Sequence, residues 1–504
     1  VRLAAASFAA ALSLSVAGCA AASPPVDAPD TIRIGVDPSL IAGSYAPLNL
    51  NLSVTLTERA LYEGLFSPNS STELGGFEPV LATGYERSDD WKTITVTLRD
   101  DVTFVDGERF TAQGLETYLE GMAATEGWWF NYYWGVNSPT LTALDDTTLE
   151  ITSDKPMSLI FQQFVHMLFT QVPILSPNVL DDLETEQPAG TGPYVLASST
   201  PEVGATLARN KGYWNPEAYP FDTIELTSFA DEVAALNALT SGQIDAASVS
   251  PSLAVEAKNQ GMTLNLSSAN GGVDALFISD REGTVVPALA DKRVRQAIAL
   301  AFDREAINDA LNFGYGVITS QPFIDTQAEY VEGGDDRYAY DPERAKELLA
   351  DAGYPDGFDL PILCSIASAY VPVVTQSLAD IGIRATIDCL EVGAFYEAAS
   401  NPSKYGVMLG GGVAPILVPI YVAPNGFLNA FKVQDPEVDE RWAAMLNGPD
   451  EVAEKAAAEL GEYVVDQSMF AVFASTKGIW VTAPGFVCPW VFATPELSDF
   501  AYTG

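Results

Sequence analysis

Two hydrophobic rhythms run along the chain. Ile32, Ile34 and Val36 alternate with Arg33 and Gly35, and Trp91 to Arg99 repeats the same period of two, which predicts half-buried strands. Val294, Ala297, Ile298 and Ala301 instead follow the i, i+3, i+4, i+7 spacing of one helical face, with Arg293, Arg295 and Gln296 expected outward. Asp341 as a cap, Pro342 at the first helical position and Gly353 behind predict a helix of about three turns. Asp303 caps another, whose Ile307 and Leu311 face inward before Gly314 ends it. Phe358 to Cys364 and Arg384 to Cys389 read as strands around a helical Val371 to Ile381, a βαβ unit. Ala275 to Ile278 and Phe470 to Phe473 are apolar enough for fully buried strands.

Ahead of these elements, Arg2 precedes an apolar run from Leu3 to Val16, and Val16-Ala17-Gly18 precede Cys19. The run is shorter than the roughly 20 residues of a membrane span. Residues 1–18 therefore read as a signal peptide, and the small residues before the cysteine resemble a bacterial lipobox, with Cys19 acylated as the first mature residue. Ala20 to Asp30 is Ala, Ser, Pro and Asp without apolar period, so residues 19–30 are expected to be a lipidated tether. The globular part is expected to begin near Thr31. No later segment is both long and apolar enough to span a membrane.

The length of 504 residues suggests about three packing units. Acidic residues number 67 against 25 basic ones, a formal charge of −42, which argues against a nucleic-acid partner and for a solvated acidic surface. Four cysteines are present. If the two strands of the βαβ unit are neighbours in register, Cys364 and Cys389 would lie side by side, and an oxidising exterior would permit a disulfide. Cys488 is left as a buried apolar side chain.

Nothing in the pattern marks an enzyme. The single histidine, His166, sits in the apolar run Leu159 to Phe169 and reads as a packed residue. No Gly-x-Ser-x-Gly elbow, His-Glu-x-x-His motif or cysteine pair of zinc spacing occurs. Gly190-Thr191-Gly192-Pro193-Tyr194 lacks the Lys and Ser/Thr of a phosphate loop. No catalytic residue, metal or cofactor is expected.

Several longer segments carry a family resemblance. Tyr62-Glu63-Gly64-Leu65 is followed by Leu98-Arg99-Asp100-Asp101-Val102-Thr103-Phe104-Val105-Asp106-Gly107, by Gly190 to Tyr194, by Arg209 to Trp214, and by Ala238 to Asp245. Asp291 to Glu305 and Tyr340 to Leu349 complete the order. From about Thr31 to the C-terminus the chain resembles the family 5 extracellular solute-binding proteins, the peptide- and nickel-binding proteins of ABC importers. The resemblance implies an α/β, two-lobed periplasmic-binding-protein fold, a Venus flytrap of type II with an extra inserted subdomain. Residues 31–75, 190–272 and 472–504 would form lobe I, residues 76–189 its inserted subdomain and residues 273–471 lobe II, with hinge crossings near Val273 to Ser279 and Met469 to Ser475.

It further implies a monomer outside the cytoplasm, lipid-anchored or periplasmic, that closes on a solute and hands it to an ABC permease. Ligand is expected at Tyr45, in the loop after the first strand, and at Gly410, Gly411, Gly412, Val413 and Ala414. The family commonly has Gly-Trp-x-x-Asp at this second place, its Asp holding a peptide ammonium; here neither Trp nor Asp follows the glycines. Trp128 and Trp129, in an aromatic cluster running to Trp134, either line the cleft or pack the inserted subdomain. Peptide is the leading solute and oligosaccharide the alternative. A surface sensor or docking lipoprotein of the same fold is a third reading, and bare nickel is disfavoured by the single histidine.

Overall fold

The computed structural model describes residues 29–504 apart from 42, 51–55, 69–76, 129, 158–163, 201–202, 268–271, 326, 366–367, 402–403, 413–416, 425, 427 and 491–494. The expected signal peptide and Cys19 lie outside the described residues, as do Trp129, Val413 and Ala414. Among the described residues no helix is long and apolar enough to cross a membrane.

Two principal sheets organise the chain. The first runs in the order Thr263–Leu266, Ile479–Thr482, Ala246–Ser248, Thr31–Val36, Thr223–Ser228, Gly204–Arg209, Tyr194–Thr200. Its centre is parallel: Ile34 pairs with Leu226 on one side and Ala246 on the other. The second runs Arg384–Leu390, Asp359–Ser365, Val407–Gly412, Gly272–Ile278, Phe470–Thr476. A four-stranded antiparallel sheet, Ala82–Arg87, Thr93–Leu98, Thr148–Thr152 and Thr140–Asp145, is built from chain lying between the first and later strands of the first sheet. The alternation of Ile94, Val96 and Leu98 puts these three inward, each almost wholly buried.

Each principal sheet has its own core. Ile32, Ile34, Leu207 and Ile224 belong to one that continues through the four-stranded sheet, and Ala275, Leu276, Phe277, Val472 and Phe473 to the other. The apolar runs read as buried strands are thus neighbours in the second sheet, Gly272–Ile278 inside it and Phe470–Thr476 at its edge. The cap signals hold as well. Asp303 accepts from Ala306 N–H and Asp341 from Arg344 N–H, while Gly314 and Gly353 take left-handed φ values of 77° and 92°.

One outward placement is corrected. Arg295 is buried, donating to the carbonyls of Leu289, Ala290 and Gln467 and to Gln467 Oε1. The helix Lys292–Leu300 is covered on that side by the chain around Gln467, whose carbonyls supply the acceptors a guanidinium needs away from water.

Segments that carry the resemblance turn out to be one another's packing partners. The buried Glu63 carboxylate accepts from Tyr213 Oη at 2.8 Å and from Trp214 Nε1 at 3.2 Å, and Arg99 lies over the Trp214 ring at 3.9 Å. Burial pushes the Glu63 carboxyl up to about 7, against the pull of its Tyr213, Thr191 and Trp214 hydrogen bonds. A Cβ on Gly190 would stand 2.1 Å from the Leu61 carbonyl oxygen, so the Gly-Thr-Gly-Pro segment is glycine-rich for close backbone packing, not for phosphate.

Candidate ligand-binding cleft

The pairing registers locate the cleft. The chain passes between the sheets twice, from Leu266 to Gly272 and from Thr476 to Ile479. On the first sheet, Leu266 pairs with Ile479, and Ser248, at the carboxyl end of a parallel strand, pairs with Trp480. On the second sheet, Gly272 pairs with Thr476, and Val273 pairs with Gly412, the carboxyl end of Val407–Gly412. Both sheets therefore turn the carboxyl edges of their parallel strands toward the crossings. Open α/β sheets bind ligands at that edge.

The glycine run lies there. Ile362, Leu363 and Cys364 pair with Val407, Met408 and Leu409, where that ladder ends among the described residues, while Gly410, Gly411 and Gly412 remain paired on their other side with Ala275, Asp274 and Val273. A Cβ on Gly411 would stand 3.0 Å from Asp274 Oδ1, and one on Gly412 2.7 Å from Leu417 Cδ2. Glycine at 411 leaves the Asp274 carboxylate its space.

Asp274 was not singled out in the sequence, although it is the one charge in the apolar strand Gly272–Ile278. That isolation was the available signal. The ladder to Phe470–Thr476 shifts by one residue between Asp274 and Ala275, a bulge that re-aims side chains locally. The Tyr370 ring packs on Phe473, the extra residue of the bulge, with centroids 5.2 Å apart. Its hydroxyl donates to Asn312 Oδ1 at 2.9 Å. Asn312 is 3% exposed, and its Nδ2 has no hydrogen-bond partner among the described residues. Burial raises the Asp274 carboxyl to about 6, the Tyr370 hydroxyl pulling the other way, and pushes that hydroxyl up to about 12.

The other sequence candidates fall elsewhere. Tyr45 is 4% exposed in the first core, its N–H donating to Glu186 at 2.7 Å and its hydroxyl 3.4 Å from Ser199 Oγ. Trp128 is equally buried, edge-on to Phe130 at 5.3 Å, so this member of the aromatic cluster packs a core. His166 lies on the helix Phe164–Thr170. Cys364 and Cys389 are direct partners in neighbouring parallel strands, as the βαβ reading required; both are thiols in this structure, in hydrogen-bond contact, Cys364 buried and Cys389 exposed. Cys488 is fully buried. Among the described residues no cluster of His, Cys, Asp and Glu is arranged to hold a metal ion.

Two lobes, two crossings and a cleft at facing carboxyl edges define a hinged solute-binding protein. The chain belongs to the bacterial extracellular solute-binding proteins, family 5, whose middle-region model matches residues 76–432. Glutathione-binding protein GsiB of Salmonella paratyphi A is 27% identical over 389 residues, 75% of this chain and 73% of that protein. GsiB of Shigella boydii serotype 4 is 29% identical over 349 residues, 66% and 65% of the two chains. The ABC transporter substrate-binding protein CtaP of Listeria monocytogenes superposes with a TM-score of 0.79 at 19% identity, covering 94% of this chain and 100% of that one. DppA of Helicobacter pylori, solved with the peptide STSA, gives 0.72 at 20% identity, covering 94% and 98%. The two-lobed fold and the role of extracytoplasmic solute-binding component of an ABC importer follow from that membership.

Proposed function

We propose that the chain captures a short peptide between its lobes and delivers it to a membrane permease, while a lipid on Cys19 tethers the monomeric protein to the outer face of the membrane. The observation that carries the peptide reading is the glycine run: among the described residues the ladder to the neighbouring parallel strand reaches only Leu409, at the cleft edge. Three successive glycines present backbone N–H and C=O groups without side chains in the way, which suits an extended peptide added alongside as a strand. The names of the relatives agree in kind, since glutathione is itself a small peptide and one structural neighbour was solved with a peptide. Its chemistry is recognition, not catalysis. The absent Asp of the Gly-Trp-x-x-Asp pattern keeps oligosaccharide as the second reading.

Mass spectrometry of solutes released from gently denatured protein tests the class. Short peptides are expected; sugars would replace the first reading with the second. Small-angle scattering should show the particle contract when the recovered solute is added back. An unchanged profile would favour a surface sensor or docking role over import.

A further inference from the structure

We propose that Asp274 anchors a cationic nitrogen of the ligand; the peptide form of this inference rests on the function proposed above.

The carboxylate stands on the cleft edge of the second lobe, half-buried, directly across the ladder from Gly411. Two local features keep it there and accessible. The bulge beside it sets its direction, and Gly411 leaves its oxygen uncrowded. Among the described residues no Lys or Arg forms an ion pair with it. A carboxylate withdrawn from water without a cation is costly, and a ligand ammonium entering as the lobes close would remove that cost. Asn312, linked to the Tyr370 hydroxyl, adds a buried amide donor for a ligand carbonyl. The acidic surface favours the same choice, because a chain of formal charge −42 attracts cationic solutes and repels anionic ones. A peptide α-ammonium and a free primary amine share this chemistry.

The test uses wild type and Asp274→Asn, each unfolded, dialysed, refolded and incubated with yeast extract, which holds peptides, amines and sugars. Retained solutes are identified by mass spectrometry, and matching unfolding midpoints establish that the variant is folded. Wild type is expected to retain solutes with a free amine, Asp274→Asn to retain on the order of tenfold to a hundredfold less, and acetylation of the extract to produce the same loss in wild type. Amine-bearing peptides retained equally by both proteins overturn the role of Asp274 and leave peptide capture standing. A non-peptide amine retained only by wild type overturns peptide capture and supports the anchor. Sugars or anions alone, or no solute at all, on wild type overturn both.

Discussion

Replacing Glu63 by glutamine should change how stability depends on pH more than it changes stability itself. The Glu63 carboxyl is 8% exposed and its proton is held to about 7, against an ordinary 4.5. Between those two values the folded chain retains a proton that the unfolded chain has released. Stability therefore falls as pH rises through the window and levels off above about 7. A difference of about 2.5 pH units corresponds to about 3 kcal/mol. The side-chain amide of Glu63→Gln does not titrate and keeps an oxygen for Tyr213 and Trp214. The unfolding free energy of the variant minus that of wild type should thus rise by about 3 kcal/mol from about pH 4.5 to about pH 8. Urea unfolding followed by tryptophan fluorescence reports the right region, because Trp91, Trp128, Trp134, Trp214, Trp480 and Trp490 all pack in the core that holds Glu63's partners. A difference that stays constant within about 0.5 kcal/mol over that range would refute the reasoning.

Four further outcomes are expected. Arg304→Met removes a buried guanidinium that donates to the carbonyls of Val472, Phe302, Tyr338 and Ala299; urea titration should show a loss of about 3 kcal/mol. Gly190→Ala drives a methyl into the Leu61 carbonyl and should cost about 2 kcal/mol or more in a thermal melt. Gly135→Ala, with open space around it in the helix Asn131–Asn137, should gain up to about 1 kcal/mol by the same measurement. In protein produced from residue 20 onward, Ellman's reagent should titrate one thiol per native chain, Cys389, with Cys364 and Cys488 reacting only after unfolding. No reactive thiol before reduction would instead establish the Cys364–Cys389 bridge.

What could be read in advance was whatever depends on neighbours in sequence. Strand alternation at Ile32 to Val36, the cap at Asp341 with Pro342 behind it, and the pairing of Cys364 with Cys389 are short-range consequences of period, capping and βαβ connection. Arg295 was misplaced because a helical stripe assigns charge to water, whereas half of its acceptors come from Gln467, 172 residues away, beside the local carbonyls of Leu289 and Ala290. The cleft was half legible for the same reason. The glycines announce themselves as a run, but their meaning depends on Asp274, brought opposite Gly411 only by an antiparallel pairing of distant strands. Tyr45 and Trp128 look like binding residues in a list of aromatics and are core residues once folded.

The two crossings bear on mechanics. They leave the second sheet from strands paired to each other, Gly272 with Thr476, and enter the first on strands again paired to each other, Leu266 with Ile479. The two crossings are thus fastened to each other where they leave one sheet and where they enter the other. The ends of one cannot slide past the ends of the other without breaking ladder hydrogen bonds, whereas a swing of one sheet about the line of the crossings breaks none. A permease reading the outer faces of the lobes would then need to sense only one angle.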